Sequence, residues 1–294
     1  MMRTSRPRRA PRRAPLIATL FLALLAAPES RSQTIRRDLW VPNGGVYAVA
    51  FDHGVVFLGG EFDYVGPPTG HAVAIDRETG AVVGAPRVAG AILSGEVCAI
   101  APDGDRGWFL GGDFAYAGGF ARANLAHVRS DHTVTAWNPG TDGVVHALAR
   151  VGSTLYVGGH FDSVGGEPRA HVAAVDALTG AVTDWNPGVD DAVQSIDVKG
   201  AVVYLGGWFG DVGGEPRSCI AAVDAGTGAV LPWAPEADDW VYAVRAEGGC
   251  VYAGGNFSTI GGEARSRIAA LDIVTGTATS WNPHAEPPSA LVWT

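Results

Sequence analysis

The chain contains very little lysine, cysteine and methionine. Its 294 residues include 3 Cys and 2 Met, and Lys199 is the single lysine. The formal net charge of −9 argues against a protein that binds nucleic acid or anionic lipid, because both need a basic surface. Cys98, Cys219 and Cys250 match neither a zinc-site spacing nor a disulfide framework. Oxidation of one cysteine pair after export stays an open alternative.

Long helices and catalytic signatures are also scarce. The 41 Gly and 18 Pro residues leave little room for long helices, because glycine is costly inside a helix. Charged residues make up 17% of the chain and apolar residues 47%, which excludes disorder for its bulk. The sequence contains no Gly-x-Ser-x-Gly turn, no His-Glu-x-x-His motif and no Walker loop. The composition favours an all-β protein of many short strands and indicates no particular reaction.

Residues 1–32 are typical of a secretory signal peptide. Six arginines within the first 13 residues are followed by the apolar run 16–27, which is too short to span a bilayer. We expect cleavage near Ser32 and a mature domain, 33–294, that is secreted or displayed on the cell surface without a membrane span. Cleavage removes seven Arg and one Glu and changes the formal net charge from −9 to −15. An uncleaved membrane anchor is the alternative.

A repeat of about 48 residues runs through the mature chain. A Gly-Gly pair recurs at positions 59, 111, 158, 206 and 254, and the five copies cover about 46–92, 97–139, 144–187, 192–235 and 240–283. Within the third copy, short runs rich in Val, Tyr, Leu and Ala are bounded by Gly, Pro, Asp or Asn. These runs predict four strands, at 145–149, 155–161, 171–176 and 181–185.

Four antiparallel strands repeated at this period are typical of β-propeller blades. The sequence therefore predicts an all-β propeller with five recognisable four-stranded blades. Residues 35–43 resemble an extra fourth strand and residues 290–294 resemble the beginning of an extra first strand. Either five blades close with these orphan strands left at the two ends, or the chain is cut short of a larger propeller. We favour truncation. A parallel β-helix would need a shorter period.

The recurring residues have predicted structural roles. A tryptophan near the end of each later copy is expected to pack between neighbouring blades with its indole N–H bonded to a backbone oxygen. The first copy lacks this tryptophan, so its blade is expected to dock less firmly. These structural residues are Trp137, Trp185, Trp233 and Trp281.

An acidic residue follows each tryptophan on the connection from the fourth strand to the next first strand. We expect these residues to cap turns or to form ion pairs with the arginines of a recurring Gly-Gly-Glu-x-Arg loop. Calcium binding is the alternative, because carboxylates are ligands of Ca²⁺. The acidic series is Asp142, Asp190, Asp238 and Glu286, of which the first three are the metal candidates.

Positions that vary inside the constant repeat are the candidates for a ligand site. A diverse polar and aromatic set around a central channel suits ligand binding, and relaxed selection on exposed positions is the simpler explanation. The first-strand series, nearest the axis, is Tyr47, Cys98, His146, Gln194 and Tyr242. The series after the paired glycines is Glu61, Asp113, His160, Trp208 and Asn256, and the third-strand series is His71, Asn124, His171, Cys219 and Arg267. The candidate ligand-binding residues are Tyr47, His146, Gln194, Tyr242, His160 and Trp208.

The stretch LYVGGHFDSVGGEPRAHVAAVDALTGAVTDWNP and its sister copies resemble a family of β-propeller repeats of unknown function in exported bacterial and fungal cell-surface proteins. More distantly, they resemble kelch and galactose-oxidase propellers. The resemblance covers about residues 35–294. It implies a secreted or surface-displayed propeller used as a binding or scaffold module. Because the repeat has variable positions and the sequence shows no catalytic constellation, we predict that the module binds protein or glycan without catalysis and without a cofactor.

The Ala-x-Asp-x-x-Thr-Gly…Trp stretch also resembles the repeats of pyrroloquinoline quinone dehydrogenases, although their vicinal cysteine pair is missing here. This likeness implies shared blade packing without the cofactor. The alternative function is an enzyme on a propeller scaffold, either carbohydrate-active, since carboxylates are plentiful, or quinone-dependent.

Overall fold

The computed structural model describes residues 42–62, 65, 71–84 and 95–283. The predicted signal peptide, residues 290–294 and most of the orphan strand at 35–43 lie outside these residues. Every regular element of the described residues is a β-strand, which confirms the predicted all-β class. No described segment forms a helix long and apolar enough to cross a membrane.

Five antiparallel sheets, here called blades one to five, follow one another along the chain. Blade one consists of β1 (Val46–Asp52), β2 (Val55–Gly60), β3 (Ala72–Asp76) and β4 (Val82–Gly84), paired in that order. Blade two contains β5 (Gly95–Pro102), β6 (Trp108–Phe114), a small hairpin of β7 (Tyr116–Ala117) and β8 (Phe120–Ala121), and β9 (Leu125–Val128). Blade three contains β10 (Val144–Val151), β11 (Thr154–His160), the hairpin β12 (Ser163–Val164) and β13 (Glu167–Pro168), and β14 (Val172–Asp176).

Blades four and five repeat the arrangement of blade three. Blade four contains β15 (Val193–Lys199), β16 (Val202–Gly207), β17 (Asp211–Val212), β18 (Glu215–Pro216) and β19 (Ile220–Asp224). Blade five contains β20 (Val241–Glu247), β21 (Cys250–Gly255), β22 (Thr259–Ile260), β23 (Glu263–Ala264) and β24 (Ile268–Asp272).

The fourth strand of blades two to five is a short edge segment rather than the five-residue strand that the sequence predicts. In blade three, Val182 forms one bridge to Val175, and the Thr183 amide donates to the Ala174 carbonyl at 2.9 Å. The segment ends soon afterwards at Pro187, because proline has no N–H to continue a ladder. The equivalent bridges are Val128–Val134, Val223–Val230 and Leu271–Ala278.

An aspartate organises the turn between the third and fourth strands. Asp176 Oδ1 accepts hydrogen bonds from the amides of Leu178 (3.1 Å) and Thr179 (2.7 Å) and from the Thr179 hydroxyl (2.7 Å). The hydroxyl and amide of Thr179 hold the pKa of Asp176 below its usual value. Gly180 completes the turn with φ of +77°, a left-handed conformation that glycine adopts without strain. The same arrangement recurs at Asp76, Asp224 and Asp272.

Tryptophans of the repeat tie blades two, three and four each to the following blade. The Trp185 indole N–H donates to the Asp224 carbonyl of blade four at 2.9 Å, and its ring meets Tyr156 edge-on with centroids 5.1 Å apart. The Tyr156 hydroxyl donates to the Ala225 carbonyl, also of blade four, at 2.8 Å. Two polar groups therefore reach acceptors on the neighbouring blade while the rings fill the space between. Equivalent indole bonds join Trp137 to Asp176 (3.2 Å) and Trp233 to Asp272 (3.0 Å).

The outer faces of blades one and five are more exposed than the faces between blades. Blade one meets blade two through Phe57 and Trp108, whose ring centroids are 4.6 Å apart, but Val49 and Phe51 of β1 are exposed. In blade five, Trp281 is 43% exposed, compared with 4% for Trp185. Apolar side chains at both ends of the described array thus lack the cover that inner blades receive.

Trp185→Ala should lower the free energy of unfolding by about 3–5 kcal/mol, because it opens a cavity between blades three and four. Trp281→Ala removes the same side chain where no blade among the described residues covers it, and this change should cost about 1 kcal/mol. Urea unfolding monitored by circular dichroism measures both variants. Equal losses for the two would contradict the inter-blade role of Trp185.

Candidate functional site

The first strands of all five blades meet at one cavity, here called the axial cavity. Its volume is about 510 Å³, within the range of ligand pockets. It is lined by Val46, Tyr47, Glu96, Cys98, His146, Gln194 and Tyr242. The structure therefore brings the whole first-strand series together, with one residue from each blade.

Each residue of the first-strand series is the extra residue of a β-bulge. In blade three, Val145 pairs with Gly159 and Ala147 pairs with Gly158, which leaves His146 without a partner residue on β11. The same shift occurs around Tyr47, Cys98, Gln194 and Tyr242. A bulge bends its strand and re-aims the side chain of the extra residue. Five bulges at equivalent positions therefore direct five different side chains into one cavity.

The paired glycines make both the bulge and the close contact between blades feasible. A Cβ on Gly159 would lie 2.0 Å from the Val144 carbonyl oxygen beside the bulge. A Cβ on Gly158 would lie 2.8 Å from the side chains of Val193 and Ile196 in blade four. The first glycine thus admits the neighbouring blade, and the second admits the bulge.

The residue after the paired glycines lies beside the cavity residue of the same blade. The Tyr47 hydroxyl donates to Glu61 Oε2 at 2.6 Å, and Asn256 Nδ2 donates to the Tyr242 hydroxyl at 3.1 Å. His160 follows the pair in blade three, where its ring stacks on His171 with centroids 5.5 Å apart. The first-strand series and the series after the glycines therefore form adjoining parts of one surface.

Three aromatic residues of blades four and five, here called the aromatic platform, extend this surface outward from the cavity. The Trp208 and Trp240 rings stack with centroids 4.8 Å apart, and Trp240 meets Tyr242 edge-on at 6.4 Å. Trp208 is 40% exposed and Trp240 is 42% exposed. A stacked pair of exposed tryptophans offers apolar area together with two indole donors.

The sequence-based interpretation missed two important residues, Glu96 and Trp240. Both lie two positions before a bulge residue, and this position varies between copies as Gly45, Glu96, Val144, Ala192 and Trp240. The signal was present in the alignment of the five copies.

Carboxylates dominate the electrostatics of the axial cavity. The hydrogen bond to Glu61, partial burial and the nearby charges of Glu61 and Glu96 raise the pKa of Tyr47 to about 12. Burial, followed by the charges of Glu96 and Asp113, raises the pKa of the Cys98 thiol to about 11. Burial and Asp239 likewise raise the pKa of Tyr242. Tyr47, Cys98 and Tyr242 are therefore held in their neutral forms at neutral pH.

His146 also lines the cavity and is held neutral. Burial is the largest cause that lowers its pKa, and the nearby His160 lowers it further. A neutral imidazole keeps one donor and one acceptor for a ligand.

Most residues of the third-strand series share a left-handed backbone conformation. Asn124, His171, Cys219 and Arg267 all have φ between +61° and +64°. The Asn124 side chain accepts from the Phe114 amide at 2.9 Å and donates to the Gly143 carbonyl at 2.8 Å, which ties blade two to the connection that precedes β10. The three cysteines are free in this structure.

The acidic series caps backbone amides. Asp142 Oδ1 accepts from the amides of Asp162 and Ser163 at 2.9 Å each, and Asp190 and Asp238 do the same in blades four and five. Partial burial raises the pKa of Asp142, but the hydrogen bonds from Ser163 and Asp162 outweigh it, so the net pKa lies below the ordinary value. Each carboxylate thus fastens a connection between blades to the hairpin that follows the second strand.

The arginines of the Gly-Gly-Glu-x-Arg loops bind backbone carbonyls instead of the acidic series. Arg169 donates to the Thr183 carbonyl at 2.7 Å, and Arg217 donates to the Leu231 carbonyl at 3.0 Å. Arg217 also lies 3.5 Å from Glu215 of its own loop. The expected ion pairs between the two series are absent from the described residues, because the guanidinium groups hold the short fourth strands.

Calcium binding by Asp142, Asp190 and Asp238 stays a prediction. In the described part of the chain, no group of three or more His, Cys, Asp or Glu side chains is arranged to hold a metal ion. Glu286 lies outside the described residues.

A larger crevice of about 690 Å³ lies between blades four and five. Its lining includes Gly261, Gly262 and Gly276, which belong to the constant part of the repeat. This crevice therefore includes residues common to several copies, whereas the first-strand residues of the axial cavity differ between most copies.

Comparisons with known proteins identify the fold. Neither a protein-family model nor a curated protein matches the sequence. Among solved structures, the chain is similar to the RRP9 WD40 repeats, with a TM-score of 0.57 and 12% identity over 83% of this chain and 63% of that one. It is also similar to the Neurospora crassa Pan2 WD40 domain, with a TM-score of 0.54 and 11% identity over 81% and 65%. A third similar structure is the computationally designed Ika8 protein, with a TM-score of 0.52 and 19% identity over 79% and 60%.

These likenesses show that the chain has a β-propeller fold, as the repeat predicts. The chain spans 60–65% of the length of these three proteins. The resemblance to the exported repeat family and to kelch propellers stays a prediction, since no family model matches.

Asp190→Ala should lower the free energy of unfolding by about 1 kcal/mol, because it removes the acceptor of two backbone amides. Thermal unfolding with and without about 5 mM CaCl₂ measures the effect. A melting temperature that Ca²⁺ leaves unchanged in both proteins supports capping alone. Stabilisation of the wild type by Ca²⁺, lost in the variant, would show that the acidic series holds a cation.

Proposed function

We propose that this protein is a non-catalytic binding or scaffold module, secreted or displayed on the cell surface, that binds a protein or glycan through the face around the axial cavity. The observation that carries the proposal is the set of five bulges, which gathers one variable residue from every blade at one cavity. Bulges are enriched next to functional sites because they re-aim side chains.

The constant residues have structural partners, whereas the variable ones offer binding groups. The Trp185 indole, the Asp190 carboxylate and the Arg169 guanidinium are all bound to backbone groups of the protein. By contrast, Trp208 and Trp240 keep about two fifths of their surface exposed at the cavity rim. Exposed tryptophans in a cluster are typical of surfaces that provide most of the free energy of binding.

The test is a binding screen of the exported chain on glycan and extracellular-protein arrays. A ligand found there should bind at least about tenfold more weakly to Trp208→Ala, because a buried interface tryptophan commonly contributes 2 kcal/mol or more (about 30-fold in Kd). Leu178→Ala is the matched control, since Leu178 is an exposed apolar residue in a turn between third and fourth strands.

Equal weakening by both variants, or a ligand that binds elsewhere, would contradict the proposed binding face. Turnover of a glycan on the array would instead favour the enzyme alternative.

A further inference from the structure

We infer that the axial cavity receives a lysine or arginine side chain from an extended segment of a partner protein, while an apolar neighbour in that segment packs on the aromatic platform. The inference rests on the proposed binding function and goes further by naming the chemistry of the ligand. It depends on two different halves of the same surface.

The half formed by blades one and two is acidic. Glu96 lines the cavity beside Tyr47 and Cys98. Glu61 accepts a hydrogen bond from the Tyr47 hydroxyl. Asp113, which is exposed, follows the paired glycines of blade two. Within the described residues, the ion pairs do not include any of these three carboxylates. The cavity lining contains neither lysine nor arginine. One carboxylate in the lining, Glu96, and two beside it, Glu61 and Asp113, therefore lie at one end of the cavity without an ion-pair partner among the described residues.

The ionisation of the lining shows the sign of the local potential. The hydrogen bond to Glu61 and burial are the largest causes that raise the pKa of Tyr47 to about 12, and the charges of Glu61 and Glu96 raise it further. Burial is the largest cause that raises the pKa of Cys98 to about 11, and the charges of Glu96 and Asp113 add to it. A potential that disfavours a phenolate or a thiolate favours a cation at the same place by the same interaction. Arg267, the basic member of the third-strand series, belongs to blade five rather than to this end.

Aromatic rings complete the environment for a cation. Tyr47 and Tyr242 line the cavity on different blades, and aromatic faces attract ammonium and guanidinium groups. Lysine and arginine side chains also carry apolar stems that suit a cavity with half-buried walls.

The half formed by blades four and five indicates that the ligand extends beyond the cavity. Trp240 and Trp208 continue outward from Tyr242, so a ligand confined to the cavity would leave their exposed faces uncovered. A peptide places neighbouring side chains close enough to occupy the cavity and the platform together. A basic residue next to an aromatic or aliphatic one fits both halves, whereas a neutral glycan uses the platform without using the unpaired charges.

The test uses fluorescein-labelled peptides of sequence Gly-Gly-Phe-X-Gly-Gly and the exported chain, measured by fluorescence anisotropy. X is Lys, Arg, Nε-acetyl-lysine or Glu. The Lys and Arg peptides should bind at least about tenfold more tightly than the acetyl-lysine and Glu peptides, because only the first two bring a cation to Glu96. Their binding should weaken as NaCl is added. Equal affinity of the Lys and acetyl-lysine peptides would overturn the inference without any variant.

Matched variants locate the interaction. Glu96→Gln removes one charge with little change of shape and should weaken the Lys peptide about tenfold. Asp105→Asn also removes one exposed charge, but in the turn between β5 and β6 at the other end of the blade, and should leave binding unchanged. Trp208→Ala should weaken binding of the Lys and Arg peptides alike.

The outcomes separate this inference from the proposed function. If Glu96→Gln and Asp105→Asn behave alike, the cavity is not the cation site. If the peptides fail while a neutral oligosaccharide binds in a Trp208-dependent manner, the binding face stands and the cationic ligand is wrong. If neither kind of ligand depends on Trp208, both ideas fail.

Discussion

Packing between blades is the constraint on which the rest of the structure depends. A sheet of three or four short strands has two apolar faces and too little area to bury both by itself. Each inner blade is covered by its neighbours, and the Trp185 indole and Tyr156 hydroxyl lock two of them together through the Asp224 and Ala225 carbonyls. The side chain of the turn aspartate Asp224 holds its own turn, and its carbonyl accepts the Trp185 indole N–H. The same turn therefore stabilises its own blade and the contact with the preceding blade.

The axial cavity is a consequence of that same architecture. Close approach of the blades requires the first glycine of each pair, and the bulge opposite the second glycine turns one residue per blade toward the axis. Structural roles and the proposed ligand recognition therefore belong to different positions of the repeat. His146 and Tyr242 line the cavity, whereas Trp185, Asp190 and Gly159 contact backbone groups, so a constant scaffold carries a diverse cavity.

The sequence predicted the repeat, the all-β class and the indole hydrogen bonds between blades. These features could be predicted because the residues responsible for them recur at a fixed spacing. The first-strand series was also recognisable as variation at one position of the repeat. The bulges could not be predicted, because no neighbouring residue distinguishes Tyr47 or Gln194 from a regularly paired strand residue. The register of the pairing with the second strand determines where each bulge lies. The short fourth strands and the backbone contacts of Arg169 were missed for a similar reason, because both depend on distances between segments that are far apart in sequence. Trp240 was overlooked although its position varies in the same way as the others.

Hydrogen exchange under native conditions tests most directly whether the blades stabilise one another. Amides of β16, in a blade covered on both sides, should exchange most slowly. Amides of β2 and β21, in the blades at the two ends of the described array, should exchange faster, because opening an end blade breaks one interface instead of two. Peptide-resolved mass spectrometry measures this order. Uniform protection across the blades, or slower exchange in β2 than in β16, would contradict the account.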